Sequence, residues 1–328
     1  MTGRQIGLVL GSAIAPEQLP PAARTAEESG FDEAWLAEDF FFTGGVSGAS
    51  IVLGSTSDLA VGMGVVSAVA RHPALLAMEI STLSRAFPGR LVAGIGLGVP
   101  AWVRQMGLHP PSPLSALREC VSSVRALLRG EEITVEGRTF TFDAVKLTHP
   151  ELQPTPMHMG VIGPKMLQLS GEIADGSVLS VGAGEAYLRW AIDQINQGRA
   201  VGDRTDDHRV TAFALYSVDR DGAAARNAVR GPLAFYKASG GPNALTDAAG
   251  ISEELEKLRE EGGVDAVAAG MPDSWIDRTT IAGTPAECAE RIETFYDAGA
   301  DSVALFPMPA TEASRMVALT AEEVLPRL

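Results

Sequence analysis

The chain has 328 residues and a formal net charge of −15, with 41 acidic and 26 basic side chains. The chain is unsuited to binding the phosphate backbone of nucleic acids, because it is strongly acidic and has no run of basic residues. Its two cysteines are too few and too far apart for a disulfide scaffold or a zinc site. We therefore expect a cytoplasmic protein that acts on a small molecule and binds no metal, nucleic acid or membrane.

The first predicted element is a buried strand at residues 6–10. The stretch around it has one arginine, a short apolar run and an A-x-A pattern, as a degenerate signal peptide would. Glycine and serine interrupt that run, which favours the strand. The longest uncharged stretch, residues 40–57, is too rich in glycine and serine to span a membrane.

A repeated pattern then runs along the chain. Residues 26–38, 170–182 and 296–307 each end a polar helix, turn at Gly or Asp and enter a short apolar run. Such a run suits a strand buried on both faces, and repeated helix–strand units predict a parallel sheet. Eight strands are predicted, at residues 6–10, 33–36, 59–65, 91–95, 157–161, 177–179, 210–218 and 302–306. Eight strands with intervening helices predict an α/β fold of the (β/α)8 TIM-barrel type.

Two regions are longer than this pattern requires. Residues 131–147 alternate in polarity and contain a Glu-Gly turn, which predicts a hairpin inserted after the fourth helix. Residues 222–283 exceed one strand–helix unit and predict an insertion near the barrel mouth. Within it, residues 239–250 are expected to form a mobile loop and residues 252–261 an exposed helix. Residues 1–328 are expected to form one domain, because the barrel needs its last strand.

Functional side chains of such barrels lie just after the strands, at their carboxyl ends. Glu38 and Asp39 leave the second strand together and precede three phenylalanines, an arrangement that suits a pocket for a ring. The structural alternative is a helix-capping acid beside ordinary packing. Arg71 and His72 follow the third strand and could meet an anion, although a lone histidine is more often structural.

The fourth strand ends in a G-x-G-x-G run at residues 94–98. A dinucleotide fingerprint requires G-x-G-x-x-G after the first strand of its unit and an acidic residue about twenty positions later. Because neither is present, we interpret the run as a place where a flat ligand can approach the backbone.

After the fifth strand, Gly160 and Gly163 surround a turn, and Pro164 and Lys165 open a helix. Free N–H groups at a helix start and one lysine favour a phosphate. The alternative is an ordinary connection between strand and helix.

With these residues in view, the chain resembles the luciferase-like flavin and deazaflavin oxidoreductases. It is most similar to F420-dependent members of the methylenetetrahydromethanopterin reductase type. The resemblance rests on four stretches, residues 26–41, 62–98, 163–176 and 283–306, which run through most of the barrel. It implies a homodimer and a cofactor, coenzyme F420 or alternatively FMN, at the carboxyl ends of the strands.

The resemblance also implies a non-proline cis peptide bond at Gly64–Val65, against the back of the cofactor ring. The cofactor-binding residues it implies are Gly64, Val65 and Ser67 at the ring, Gly96 and Gly98 near the ring and side chain, Gly160, Ile162, Gly163 and Gly176 around the phosphate, and Arg71, His72 and Lys165 as charge partners.

The hypothesis with most support is hydride transfer between the deazaflavin C5 carbon and an organic substrate, with Glu38 or Asp39 as general acid or base. One alternative is an FMN-dependent monooxygenase with the same fold. Another is a flavin-binding protein without turnover, because relatives often carry Asp-His where this chain has Glu38-Asp39. Val99 stands where relatives that oxidise sugar phosphates carry Glu, which argues against that activity.

Overall fold

The apolar runs form the strands of a closed parallel barrel in the computed structural model, which describes residues 3–328. The strands are β1 (Gln5–Leu10), β2 (Glu33–Leu36), β3 (Ala60–Met63), β4 (Val66–Ser67), β5 (Leu91–Gly96), β6 (Ile133–Glu136), β7 (Thr141–Val145), β8 (Met157–Val161), β9 (Gly176–Leu179), β10 (Arg209–Val218), β11 (Ile281–Gly283) and β12 (Ser302–Pro307). Eight of them follow the order β1-β2-β3-β5-β8-β9-β10-β12, and β12 pairs with β1 to close the ring. The predicted (β/α)8 barrel is therefore confirmed.

The helices surround the barrel. They are α1 (Leu19–Glu28), α2 (Gly45–Ser55), α3 (Pro73–Ala86), α4 (Pro100–Gln105), α5 (Pro113–Leu128), α6 (Pro164–Ile173), α7 (Glu185–Val201), α8 (Gly222–Gly240), α9 (Ala244–Ala248), α10 (Ser252–Gly270), α11 (Asp273–Thr279), α12 (Pro285–Asp297) and α13 (Ala313–Leu319). Proline at the first helical position starts five of them, α3, α4, α5, α6 and α12, because it is already held at a helical φ. Among residues 3–328, no helix has the length and apolarity that a membrane span requires.

The barrel interior is filled by a few large side chains. Trp35 is fully buried at its centre and packs edge-on against Phe213, with ring centroids 5.5 Å apart. A Cβ at Gly62 would lie 2.2 Å from the Trp35 ring, so the neighbouring strand needs glycine there. At the amino ends of the strands, the buried carboxylate of Glu33 accepts from Arg209 and Ser302. This polar floor closes the end of the barrel opposite the functional mouth.

Both predicted insertions are present. Strands β6 and β7 form an antiparallel hairpin within residues 131–147. Residues 222–283 hold α8 to α11 and β11, and their apolar cluster includes Phe306 and Met308, which lie at and just beyond the end of β12. This places the insertion beside the carboxyl ends of the strands.

Two details of that insertion were predicted wrongly. The expected mobile loop at residues 239–250 contains α9, which begins at a capping box and buries Leu245 and Thr246. Strand β11 was not predicted, because its three residues are too few for a recognisable pattern.

Candidate active site

The third strand is interrupted where the resemblance implies. The expected strand at 59–65 ends at Met63, the Gly64–Val65 peptide bond is cis, and pairing resumes at β4. The Val65 side chain then lies over the neighbouring strands: a Cβ at Gly96 would come within 2.5 Å of it, and one at Gly160 within 2.8 Å. These two glycines are therefore needed for close packing against Val65. The residues next to them in the sequence do not reveal this contact.

Two further residues predicted at the ring have fixed surroundings. Ser67 is 1% exposed, and its hydroxyl donates to the carbonyl of Leu97 at 3.1 Å. Gly98 has a φ of +80°, a conformation that side chains rarely adopt, and a Cβ there would lie 3.4 Å from the ring of Phe40. Both residues thus shape the backbone at the mouth.

Glu38 is used to hold the backbone together. Its carboxylate accepts from the N–H of Ser67 at 3.0 Å and of Gly45 at 3.3 Å, and it forms an ion pair with Arg71. Only 6% of the Glu38 side chain is exposed. These contacts leave little of the carboxylate for a substrate, so the geometry favours a positioning role for Glu38.

Arg71 and His72 were predicted as partners of an anion, and the structure engages both elsewhere. Besides Glu38, Arg71 lies 3.7 Å from Glu79, and burial raises the pKa of the Glu79 carboxyl. One buried nitrogen of Arg71, Nη1, has no hydrogen-bond partner. The His72 Nδ1 caps α3 by accepting from Ala74, and its ring packs on Phe142 of the hairpin at 4.7 Å. The structural interpretation of His72 therefore has the better support.

Asp39 faces the opening of the barrel. Its carboxylate accepts from the Ser12 hydroxyl at 2.6 Å, and it lines a cavity of about 190 Å³. The three phenylalanines line the same cavity, as do Glu38 and Arg71. Phe41 and Phe42 are 66% and 57% exposed, whereas Phe40 is buried. A carboxylate beside exposed rings is an arrangement that can accept an aromatic or apolar molecule and exchange a proton with it.

The turn after β8 keeps the features of an anion site. Gly163 is the N-cap of α6, and a Cβ there would meet nothing within 4 Å. Lys165 is exposed on the first turn, and the carbonyl of Ile162 accepts from Tyr187 at 2.8 Å. Pro164 has no N–H and Met166 donates to the Gly163 carbonyl, but the N–H groups of Gly163 and Lys165 have no backbone acceptor among the described residues. These two donors with a cation nearby favour a phosphate.

Gly176 does not belong with this turn. It is the first residue of β9 and pairs with His158 and Arg209 at the amino ends of their strands. A Cβ at Gly176 would lie 2.5 Å from the His158 ring, so the glycine makes room for that side chain. The structure therefore places Gly176 at the amino ends of the strands and does not bring it together with Gly160, Ile162 and Gly163 at the predicted phosphate site.

Sequence reasoning missed a buried lysine beside the mouth. Lys237 is 5% exposed, and its ammonium donates to the carbonyl of Gly182, just beyond the end of β9, at 3.3 Å. It has no salt bridge among the described residues, and burial lowers its pKa to about 8. The spacing of Val229, Leu233 and Lys237 at every fourth position could have revealed it, because it puts the lysine on the buried face of α8.

Comparisons with known proteins cover almost the whole barrel. A family model described as luciferase-like monooxygenase matches residues 2–302. The 5,10-methylenetetrahydromethanopterin reductase of Archaeoglobus fulgidus is 32% identical over 314 residues, which are 93% of this chain and 94% of the relative. An F420-dependent glucose-6-phosphate dehydrogenase of Nakamurella multipartita is 28% identical, with 96% and 93% of the two chains aligned.

Solved structures give the same result for the fold. The coenzyme F420-dependent tetrahydromethanopterin reductase of Methanopyrus kandleri superimposes with a TM-score of 0.87 at 24% identity, over 99% of both chains. Structures described as monooxygenases superimpose with lower TM-scores, from 0.73 to 0.76, at 15% to 19% identity. Likeness at these identities bears on the fold alone.

Proposed function

Because the chain belongs to the luciferase-like monooxygenase family, we propose that it is a coenzyme F420-dependent oxidoreductase. The reaction proposed is hydride transfer between the deazaflavin and an organic substrate, at the carboxyl ends of the barrel strands. A relative found by sequence supports this cofactor, since the glucose-6-phosphate dehydrogenase that aligns with 96% of this chain is described as F420-dependent.

The observation that carries the proposal is the apolar platform at the mouth. Val65 lies across Gly96 and Gly160, so three neighbouring strands end in a small apolar surface. Such a surface fits a flat tricyclic ring. The start of α6, with Gly163 and Lys165, fits the phosphate that continues from the ring.

The protein's own groups would position the reactants and exchange a proton. F420, when bound, supplies the carbon that gives or takes the hydride, and that chemistry belongs to the cofactor. Glu38 would hold the backbone of Ser67 in place beneath the ring. Asp39, oriented by Ser12, would exchange a proton with the substrate in the adjoining cavity. The exposed Phe41 and Phe42 would keep water away from that cavity.

Cofactor titration is the direct test. Purified protein, free of cofactor, is titrated with F420 and separately with FMN, and binding is followed by the fluorescence or absorbance of each compound. We expect saturable binding of F420 that is much tighter than binding of FMN. Tight FMN binding with no F420 binding would overturn the proposal and favour the alternative monooxygenase.

A turnover assay distinguishes the proposed enzyme from the remaining alternative, a flavin-binding protein without catalysis. Reduced F420 is incubated anaerobically with the protein and a panel of imines, ketones and aldehydes, and its reoxidation is recorded. Hydride transfer to any member supports the enzyme. Tight F420 binding without transfer across a broad panel would support the non-catalytic alternative.

We also propose that the protein is a cytoplasmic homodimer, as is implied by the resemblance. Light scattering coupled to size-exclusion chromatography checks the dimer. A mass near 34.3 kDa, that of one chain, would contradict it.

A further inference from the structure

A second cavity, which shares no lining residue with the one beside Asp39, lies against the start of α7. Its volume is about 450 Å³, and α7, α9, α11 and α12 contribute to its lining. Three arginines line it, Arg189, Arg278 and Arg291, together with a single carboxylate, Glu185. A local excess of positive charge stands out in a chain with a net charge of −15, because nothing in the general composition produces it.

Arg291 is the least satisfied of these cations. Its Nε and Nη2 atoms are buried and have no hydrogen-bond partner in the described part of the chain. Asp277, Glu185 and Glu290 stabilise its charge only from a distance, and burial lowers its pKa. A guanidinium removed from water without a hydrogen-bonded acceptor is costly, so a bound acceptor in the cavity would stabilise it.

Arg278 and Arg189 differ in whether a carboxylate pairs with their charge. Arg189 is paired with Glu185 at 3.1 Å. Arg278 is exposed and donates only to neutral oxygens, those of Ala249 at 2.9 Å and Ser274 at 3.3 Å. Arg278 therefore keeps a full uncompensated charge at the rim of the cavity.

The start of α7 adds N–H donors to the same cavity. The N-cap is Gly184, which offers no capping side chain, and a Cβ there would lie 1.9 Å from the carbonyl oxygen of Arg278. Only glycine permits this close approach, which brings α11 against the helix start. The amides of Glu185 and Ala186 thus remain without a backbone acceptor at the positive end of a 17-residue helix.

The remaining wall is apolar. Leu245, Ala248 and Ala249, in and just after α9, line it. We propose that this cavity binds a small organic anion, in which a phosphate or carboxylate is carried by a short apolar body. The arginines and the α7 amides would hold the anionic head, and the α9 residues would contact the body. The volume falls in the range of small-molecule sites.

The test uses phenyl phosphate, which combines both halves of such a ligand, with the cofactor-free protein in a calorimetric titration. We expect saturable binding that is tighter than binding of inorganic phosphate or of phenol. Arg278→Ala should weaken it roughly tenfold, because one charge-assisted contact is lost. Arg24→Ala, which removes an exposed charge from α1, is the matched control and should change nothing.

A second variant tests the arginines again, and a titration with F420 present identifies the source of the anion. Arg291→Gln should also weaken binding, with its fold checked by circular dichroism.

Tyr187 joins the cavity lining to the turn at Ile162, so the titration is repeated with F420 present. Unchanged binding indicates a separate metabolite, whereas competition with F420 that Arg278→Ala relieves indicates the cofactor's own anionic chain. Both outcomes support an anion site. No saturable binding, or equal binding by wild type and Arg278→Ala, would overturn the inference, and neither result depends on F420 being the cofactor.

Discussion

Glu38 and Asp39 are adjacent in the sequence, yet their side chains meet different partners. Glu38 is buried in an ion pair with Arg71 and accepts two backbone N–H groups. Asp39 contacts a serine hydroxyl at the edge of a cavity. The two carboxylates can therefore be separated by experiment, one by its effect on stability and the other by its effect on turnover.

Replacing Glu38 should mainly affect stability. Glu38→Gln removes the charge that lies nearest Arg71 and leaves its mostly buried guanidinium with Glu79, at 3.7 Å, as its ion-pair partner. Breaking a buried pair in this way costs about 3–5 kcal/mol, and the partial exposure of Arg71, 22%, places the expected loss below that range. Urea unfolding measures it. A variant as stable as wild type would show that the ion pair contributes nothing.

Replacing Asp39 should mainly affect turnover. Asp39→Asn keeps the hydrogen bond from Ser12 possible but removes the proton acceptor, so we expect kcat to fall roughly 10²-fold or more. The free energy of unfolding and the affinity for F420 should remain unchanged. Ser12→Ala is the matched control and should reduce kcat only slightly. An Asp39→Asn variant with a normal kcat and an unaltered pH profile would rule Asp39 out as the acid or base.

Lys237 offers a test of how a buried charge changes the free energy of unfolding with pH. Its pKa is about 8, below the ordinary 10.5, because the charged form is buried. Between these two pH values the unfolded chain binds more protons, so the free energy of unfolding should increase as pH rises from 8 towards 10.5. Lys237→Met should remove that increase and stabilise the protein at pH 7 by about 2–3 kcal/mol.

The control for Lys237 is an exposed lysine. Lys257 on α10 is 76% exposed, and Lys257→Met should alter neither the pH dependence of unfolding nor kcat. Stabilisation by Lys237→Met with full activity would show that the buried charge has no part in the reaction.

At the scale of elements, the starts of α3 and α6 were both predicted to bind the cofactor phosphate, but the structure gives them different surroundings. His72 caps α3 and packs on the hairpin, whereas the α6 turn remains open. His72→Ala should therefore lower the free energy of unfolding by about 1 kcal/mol through loss of the cap, with F420 affinity unchanged. Lys165→Ala should instead weaken F420 binding several-fold and leave the free energy of unfolding unchanged. Lys146→Ala, on the exposed end of the hairpin connection, controls for lost surface charge.

The sequence predicted elements well because their signals are local. Unbroken apolar runs mark strands buried on both faces, and all eight barrel strands were found in this way. A capping box of Thr284 and Glu287, whose residue pattern is visible in the sequence, starts α12. The hairpin was recognisable for a similar reason, from its alternation and its turn residues.

Contacts between elements were not predictable, since they depend on register. That Gly96 and Gly160 face Val65, and that Arg71 turns back to Glu38, follows from how neighbouring strands are aligned. The position of Gly176 was not predictable for the same cause: the pattern located its strand but not the end of the barrel at which the residue lies.

At the scale of the whole molecule, the barrel joins the two ends of the chain. β1 pairs with β12 from Gln5 opposite Ser302, and β12 also pairs with β10. The insertion shares Phe306 and Met308 with the barrel mouth. We therefore propose that residues 1–328 form one domain in which barrel and insertion unfold together.

Glu33 allows that proposal to be tested, because it lies in the barrel floor, at the end remote from the insertion. Its carboxylate is 1% exposed and binds Arg209 of β10 and Ser302 of β12. Glu33→Gln leaves the Arg209 charge without its partner and should lower the free energy of unfolding by about 3 kcal/mol. In scanning calorimetry, a single cooperative unit shifts its whole transition to lower temperature, insertion included. Glu322→Gln, at a 70% exposed side chain, should leave the transition in place. If a second transition stays at the wild-type temperature while the first moves, the insertion unfolds by itself and the chain contains two domains.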